Sequence, residues 1–212
     1  MEKIDYKKTE KQYYLPKTPA VLPIPQMTFL AVDGKGDPNT SPAYAEAIEI
    51  LYGLSFTIKM SKMSGEQPKG YIDYVVPPLE GLWWTAVPNF DGRPQEDKSA
   101  FFWTSMIRQP DFVTEEIFQW AKEKLSQKKP DINLQKARFL VWEEGLCAQT
   151  LHIGPYDAET ETIEKLSEFI TKEGYTLDFS DTRRHHEIYL SDPRRTSPEK
   201  LKTVIRQPVK KA

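Results

Sequence analysis

The chain has 212 residues, with 29 basic against 31 acidic side chains and a formal charge of -2. That balance excludes the basic excess by which nucleic-acid and anionic-membrane binders announce themselves, so no direct nucleic-acid binding is expected. One cysteine, Cys147, excludes a disulfide framework and suits a reducing cytoplasm, and no apolar run is long enough for a membrane helix or a signal peptide.

Residues 1–26, with Pro16, Pro19, Pro23 and Pro25, show no periodicity and are expected to form an extended arm. A first strand is predicted from Met27 to Asp33. Ser41-Pro42 then opens a helix, the serine hydroxyl as cap, with Ile48, Leu51, Leu54 and Ile58 on one face and a stop at Ser64-Gly65. Strands are predicted at Tyr71–Val76, Leu82–Val87 and Phe101–Arg108. Thr114 caps a helix bearing Ile117, Phe118, Ala121 and Leu125, which ends at Lys128-Lys129-Pro130.

The second half runs in the same order. Strands at Arg138–Glu143 and Leu146–Ile153 flank a Glu144-Gly145 turn, and Gly154-Pro155 opens a helix over roughly 156–172 that Gly174 closes. Strands follow at Tyr175–Phe179 and His185–Leu190, then a helical turn at Ser197-Pro198 and a last strand reaching Gln207. Ile107-Arg108-Gln109-Pro110 recurs as Ile205-Arg206-Gln207-Pro208. The expected fold is α+β, built from tandem β-α-β-β modules with pseudo-twofold symmetry: the arm 1–26, a first module 27–112, a connecting helix 113–136 and a second module 137–212. A groove between the modules is the expected ligand site.

The string His185-His186-Glu187-Ile188-Tyr189-Leu190 alternates on a strand. His186, Ile188 and Leu190 are expected to face the helix, leaving His185, Glu187 and Tyr189 together. Glu187 is then either a groove carboxylate, acting as counter-ion or general base, or a solvated strand residue. Tyr44, Trp84, Trp103 and Trp142 are candidates for an aromatic wall favouring planar hydrophobic or cationic ligands, with core packing as the alternative for each. Of Trp83 and Trp84, adjacent on one strand, at most one can face the groove. Glu80 is a candidate second acid. His152 and Tyr156 flank the strand-to-helix junction, where they could meet a ligand oxygen, although His152 is equally suited to hold backbone. Adjacent histidines on a strand diverge and Cys147 stands alone, so no metal is expected, and no cofactor-binding motif is present.

The Gly154-Pro155-Tyr156 helix opening, the Glu187-Ile188-Tyr189-Leu190 strand and the tandem element order resemble the GyrI-like small-molecule-binding family over roughly residues 27–208. The strings Pro78-Leu79-Glu80-Gly81-Leu82-Trp83-Trp84 and Ile107-Arg108-Gln109-Pro110-Asp111-Phe112 resemble its stand-alone branch, the cyclopropanoid cyclopropyl hydrolases. That resemblance implies SHS2-like modules and detoxification of DNA-alkylating compounds by adding water to their cyclopropane, with Glu187 as the ligand-meeting glutamate and Tyr156 steadying the developing phenolate. It implies no cofactor; a non-catalytic module sequestering planar or cationic toxins is the alternative. A protein partner is left unassigned.

Overall fold

A computed structural model describes residues 3–86, 90–93, 95 and 97–212. Among these residues the frame is an antiparallel sheet of seven strands: β1 (Ala20–Lys35), β2 (Leu79–Thr85), β3 (Phe101–Gln109), β4 (Ala137–Ile153), β5 (Tyr175–Leu177), β6 (His185–Tyr189) and β7 (Lys202–Lys211). The order is β4-β1-β3-β2-β6-β7-β5, and a further pairing of β4 with β7 closes the first six strands into a ring. Among the described residues five α-helices accompany it: α1 (Tyr6–Thr9), α2 (Lys11–Tyr14), α3 (Pro42–Ser64), α4 (Glu115–Lys128) and α5 (Thr160–Lys172). No described helix is long and apolar enough to cross a membrane.

The ring divides the side chains into two sets, because alternate residues of each strand point to opposite faces. One set packs under α3 and α4, with Leu30, Val32, Trp83, Trp103 and Ile107 against Ile50, Leu51, Leu54, Phe118 and Leu125. Farther round, Ala148, Ile205 and Val209 pack against Ile163, Leu166 and Ile170 of α5. The other set points inward, including Met27, Phe29, Ala31, Leu82 and Met106. Tyr6 and Tyr14 of α1 and α2 cover Ile188 and Val204 on that inner side.

Several local expectations hold. α3 starts at Pro42 and ends at Gly65, which takes the left-handed conformation at φ 72°. Thr114 Oγ1 accepts from the Ile117 amide, capping α4. Gly174 is left-handed behind α5, at φ 75°.

Others are corrected. The arm carries two short helices, and β1 begins at Ala20, seven residues before Met27. Its prolines are admissible because residues 20–27 pair only with β4, so the missing N–H groups can point away from a partner. Glu144-Gly145 is no turn: β4 runs unbroken from Ala137 to Ile153. Gly145, at φ 76°, lies just before the strand takes up pairing with β7. Tyr71–Val76 is not a strand. Tyr74 makes one isolated parallel bridge to Ile4, and Lys59 and Lys62 of α3 hold Asp73. β2 starts at Leu79, and Val87, its predicted end, lies outside the described residues. The Ser41 side chain makes no capping bond, and the helix predicted from 156 opens as a 3-10 turn at Tyr156–Ala158 before α5.

Candidate active site

The alternation read from β6 brings His185, Glu187 and Tyr189 onto one face. Tyr189 Oη donates to Glu187 Oε2 at 2.8 Å, and His185 Nε2 lies 3.2 Å from Oε1. Gln207 Nε2 donates to the Asp91 carbonyl at 2.7 Å and lies 3.5 Å from His185 Nδ1, an arrangement that suits the tautomer with its proton on Nε2, facing Glu187. Trp83 Nε1 donates to Tyr189 Oη at 2.9 Å. The indole, phenol and carboxylate thus form one hydrogen-bonded chain, which fixes the carboxylate while leaving its side chain 14% exposed.

Aromatic rings surround it. Tyr44 of α3 stands edge-on to Trp103 at 5.0 Å and lies 5.9 Å from Trp83. Tyr156 stands edge-on to Tyr189 at 5.6 Å, and Phe101 to Trp83 at 5.6 Å. Two glycines make this packing possible. A Cβ on Gly34 would lie 2.3 Å from the Trp103 ring, and one on Gly81 would lie 2.6 Å from Trp83 Nε1.

The electrostatics favour protonated donors around a carboxylate. Burial, then the Glu187 charge, pushes the Tyr156 hydroxyl up to about 12 and raises Tyr44 and Tyr189 as well. All three phenols therefore keep their protons at neutral pH. Glu159, in the segment entering α5, is buried, and its carboxyl is raised well above the usual range by burial and by Glu187. It is a second acid that sequence reading missed, because a glutamate before a helix is indistinguishable from an ordinary first-turn acid.

The structure brings Tyr44, Trp103, Tyr156 and Tyr189 together with Glu187, and separates them from four other candidates. Trp84 points to the opposite face from Trp83, stacked on Phe102 at 5.9 Å beneath Arg184. Trp83 therefore replaces it beside Glu187. Trp142 is on the inner side, 6.2 Å from Phe29 and 6.0 Å from His186. Glu80 is also internal, opposite Ile188 in register rather than Glu187. His152 is occupied by structure: Nδ1 lies 2.8 Å from Thr162 Oγ1 and Nε2 3.1 Å from the Pro155 carbonyl. His186 and Ile188 do share a face, but it turns toward the N-terminal helices instead of α5.

Glu80 instead joins a buried ionic cluster. His186 Nε2 is 3.0 Å from Glu80, its Nδ1 is 3.0 Å from Glu144, and Arg206 reaches Glu144 at 2.9 Å. With carboxyl groups at both ring nitrogens, the surroundings of His186 favour its imidazolium form. Burial opposes that charge, but Glu144 overcomes it and raises the imidazole. Glu144 in turn is pushed up by burial and drawn down by His186 and Arg206, to about 2.

A family model described as a GyrI-like small molecule binding domain matches residues 17–210. The chain belongs to the GyrI-like family. Among solved structures, this GyrI-like protein is similar to an uncharacterized conserved protein from Listeria innocua, at 48% identity and a TM-score of 0.92, covering 98% of this chain and 100% of the other. It is also similar to a hydrolase encoded by lin2189 from the same organism, at 47% identity and a TM-score of 0.89, covering 99% and 100%. A further Listeria innocua structure, described as a hydrolase, has 46% identity and a TM-score of 0.88, covering 98% and 100%. No curated protein matches the chain.

Proposed function

We propose that this GyrI-like protein is a cytoplasmic hydrolase that detoxifies electrophilic cyclopropanoid compounds by adding water to the strained ring. The observation that carries the reading is the Glu187 carboxylate, oriented by Tyr189 and His185 yet partly open within a wall of aromatic rings. Similarity to two proteins described as hydrolases supports it.

Water attacks the cyclopropane carbon while Glu187 takes one of its protons. A C–O bond forms, the ring C–C bond breaks, and its electron pair passes into the conjugated system as a phenolate. The Tyr156 hydroxyl, protonated at neutral pH, donates to that oxygen. Because the substrate is already an electrophile, orientation and one base suffice. Tyr156 and the exposed edges of Tyr44 and Trp83 hold the planar ligand, with the buried Trp103 packed behind them; no cofactor or metal is needed for these steps.

The reading extends to architecture: two tandem halves, β1-α3-β2-β3 and β4-α5-β6-β7, enclosing the site. The strand order supports it, since β1 pairs with β4 and β2 with β6, equivalent with equivalent, and the repeated Ile-Arg-Gln-Pro strings fall at the end of β3 and within β7. The residues before Ala20 would stand outside the repeat.

Mass spectrometry of a spirocyclopropane alkylator incubated with wild type and Glu187→Gln tests the function. Gain of one water with wild type alone is expected; equal hydrolysis by both sinks the role of Glu187. A second reading, sequestration of planar cations, is favoured by the same aromatic rings around a carboxylate, and tight binding with recovery of intact drug would select it.

A further inference from the structure

Beside the Glu187 site lies a cleft of about 500 Å³, whose described lining comes from the end of β2 and residues after it, the end of β5, the segment from β5 to β6 and the start of β6. That volume suits a small ligand. Its walls include Trp83 and His185, so it adjoins the Glu187 cluster across two side chains that belong to both. The remaining surface differs in chemistry. Trp84, stacked nearly parallel on Phe102, joins Phe90, Leu177 and Phe179 in an apolar wall, and the Arg184 guanidinium lies 4.8 Å from the Trp84 ring.

Arg184 is poised toward the cleft. Its described carboxylate partner, Asp181, is 3.0 Å away and fully exposed, and such a pair is weak. Asp91, the other acid among the described lining residues, is engaged by Arg93 at 2.6 Å. A guanidinium stacked on an indole keeps its N–H edge free for an oxygen acceptor, while the ring beside it accepts a flat hydrophobe. The Glu187 side is negative and bounded by hydroxyl donors; the cleft side offers a cation. Two such surfaces meeting at Trp83 and His185 fit the two ends of one extended molecule.

We propose that this cleft is a second subsite, taking a flat aromatic extension of the substrate that carries a carbonyl or carboxylate oxygen for Arg184, while the reacting end meets Glu187. The proposal rests on the hydrolase reading for its substrate but not for its binding chemistry. The substrates are then elongated, and selectivity among them is set at Arg184 and not at the reacting centre.

Calorimetric titration with 2-naphthoate, a flat apolar anion, separates the two. Wild type binds it. Arg184→Ala weakens binding by about tenfold, as loss of a charge-assisted contact does, and Ala86→Trp, which fills the cleft from an exposed position, abolishes it. Glu187→Gln leaves it unchanged. No binding by wild type, or equal loss in Glu187→Gln, overturns the subsite. In parallel, spirocyclopropanes with and without an aryl amide extension are assayed. Arg184→Ala raises KM for the extended compound alone with kcat preserved; equal effects on both overturn the proposal. If neither compound is hydrolysed by wild type while 2-naphthoate binds as described, the hydrolase reading fails and the subsite stands.

Discussion

Tyr189 donates to Glu187 from two residues along the same strand, at 2.8 Å, and accepts from Trp83 with the same oxygen. Removing that oxygen breaks two bonds at once. Tyr189→Phe is expected to cost about 1–3 kcal/mol of stability, since the buried indole N–H loses its acceptor. Hydrolysis should fall by roughly tenfold as the carboxylate loses its fixed orientation. Urea melts and single-turnover rates check this, and a fully active variant would show that the chain does not position Glu187.

Gly34 and Gly81 test the aromatic wall from behind. Alanine at either position pushes a methyl into an indole, at 2.3 Å from Trp103 or 2.6 Å from Trp83. Overpacking of this kind costs about 1–3 kcal/mol. Gly81→Ala should also disturb the Trp83–Tyr189 bond and weaken ligand binding. Near-ultraviolet circular dichroism of the tryptophans, with denaturant titration, reads both effects; unchanged spectra would contradict the packing.

The buried ionic cluster predicts a pH window. Glu144 is lowered to about 2, so its stabilisation is present above the ordinary carboxylate range, about 4.5, and is lost as pH falls toward 2. His186 is raised, so its contribution is full below about 6.5 and is lost as pH rises through its folded value. Both act together between about 4.5 and 6.5. Glu144→Gln should cost about 3–5 kcal/mol within that window, because Arg206 and His186 lose their counter-charge. Denaturant midpoints at pH 3, 5.5 and 8 provide the check.

Glu159 behaves in the opposite sense from Glu144. Its raised carboxyl binds a proton more tightly in the folded state, so stability falls as pH rises from about 4.5 toward its folded value. Glu159→Gln removes that dependence. The variant is expected to gain on wild type between pH 5 and pH 8 in denaturant midpoint, and parallel pH curves would place Glu159 in a solvated setting instead.

The periodicity of β6 was enough to group Glu187 with Tyr189 and His185, because alternation on a strand is a geometric necessity. It could not choose between Trp83 and Trp84, since parity between strands depends on register. The pairing of Gly81 with Glu187 decides it, placing Trp83, two residues on from Gly81, on the carboxylate's face. Prolines 23 and 25 concealed the start of β1 because local preference cannot reveal how many neighbours a strand has. Gly145 looked like a turn for a related reason: glycine permits a hairpin and equally permits a left-handed residue inside a long strand. Glu159 and the ionic cluster were hidden because they assemble from residues far apart in the chain.

The pairing of β4 with β7 has a bearing on how copies of the molecule meet. An open sheet presents rows of unpaired amides and carbonyls that can template fibre growth or recruit a foreign strand. Here six strands form a circuit, and the open side of β1, residues 20–27, carries Pro23 and Pro25, which lack the N–H a recruited strand would use, whereas residues 137–146 of β4, like β5, have one described partner strand and no proline. Strand recruitment is thereby turned away from β1 and left to β4, whose open stretch is guarded by the charges of Arg138 and Glu143.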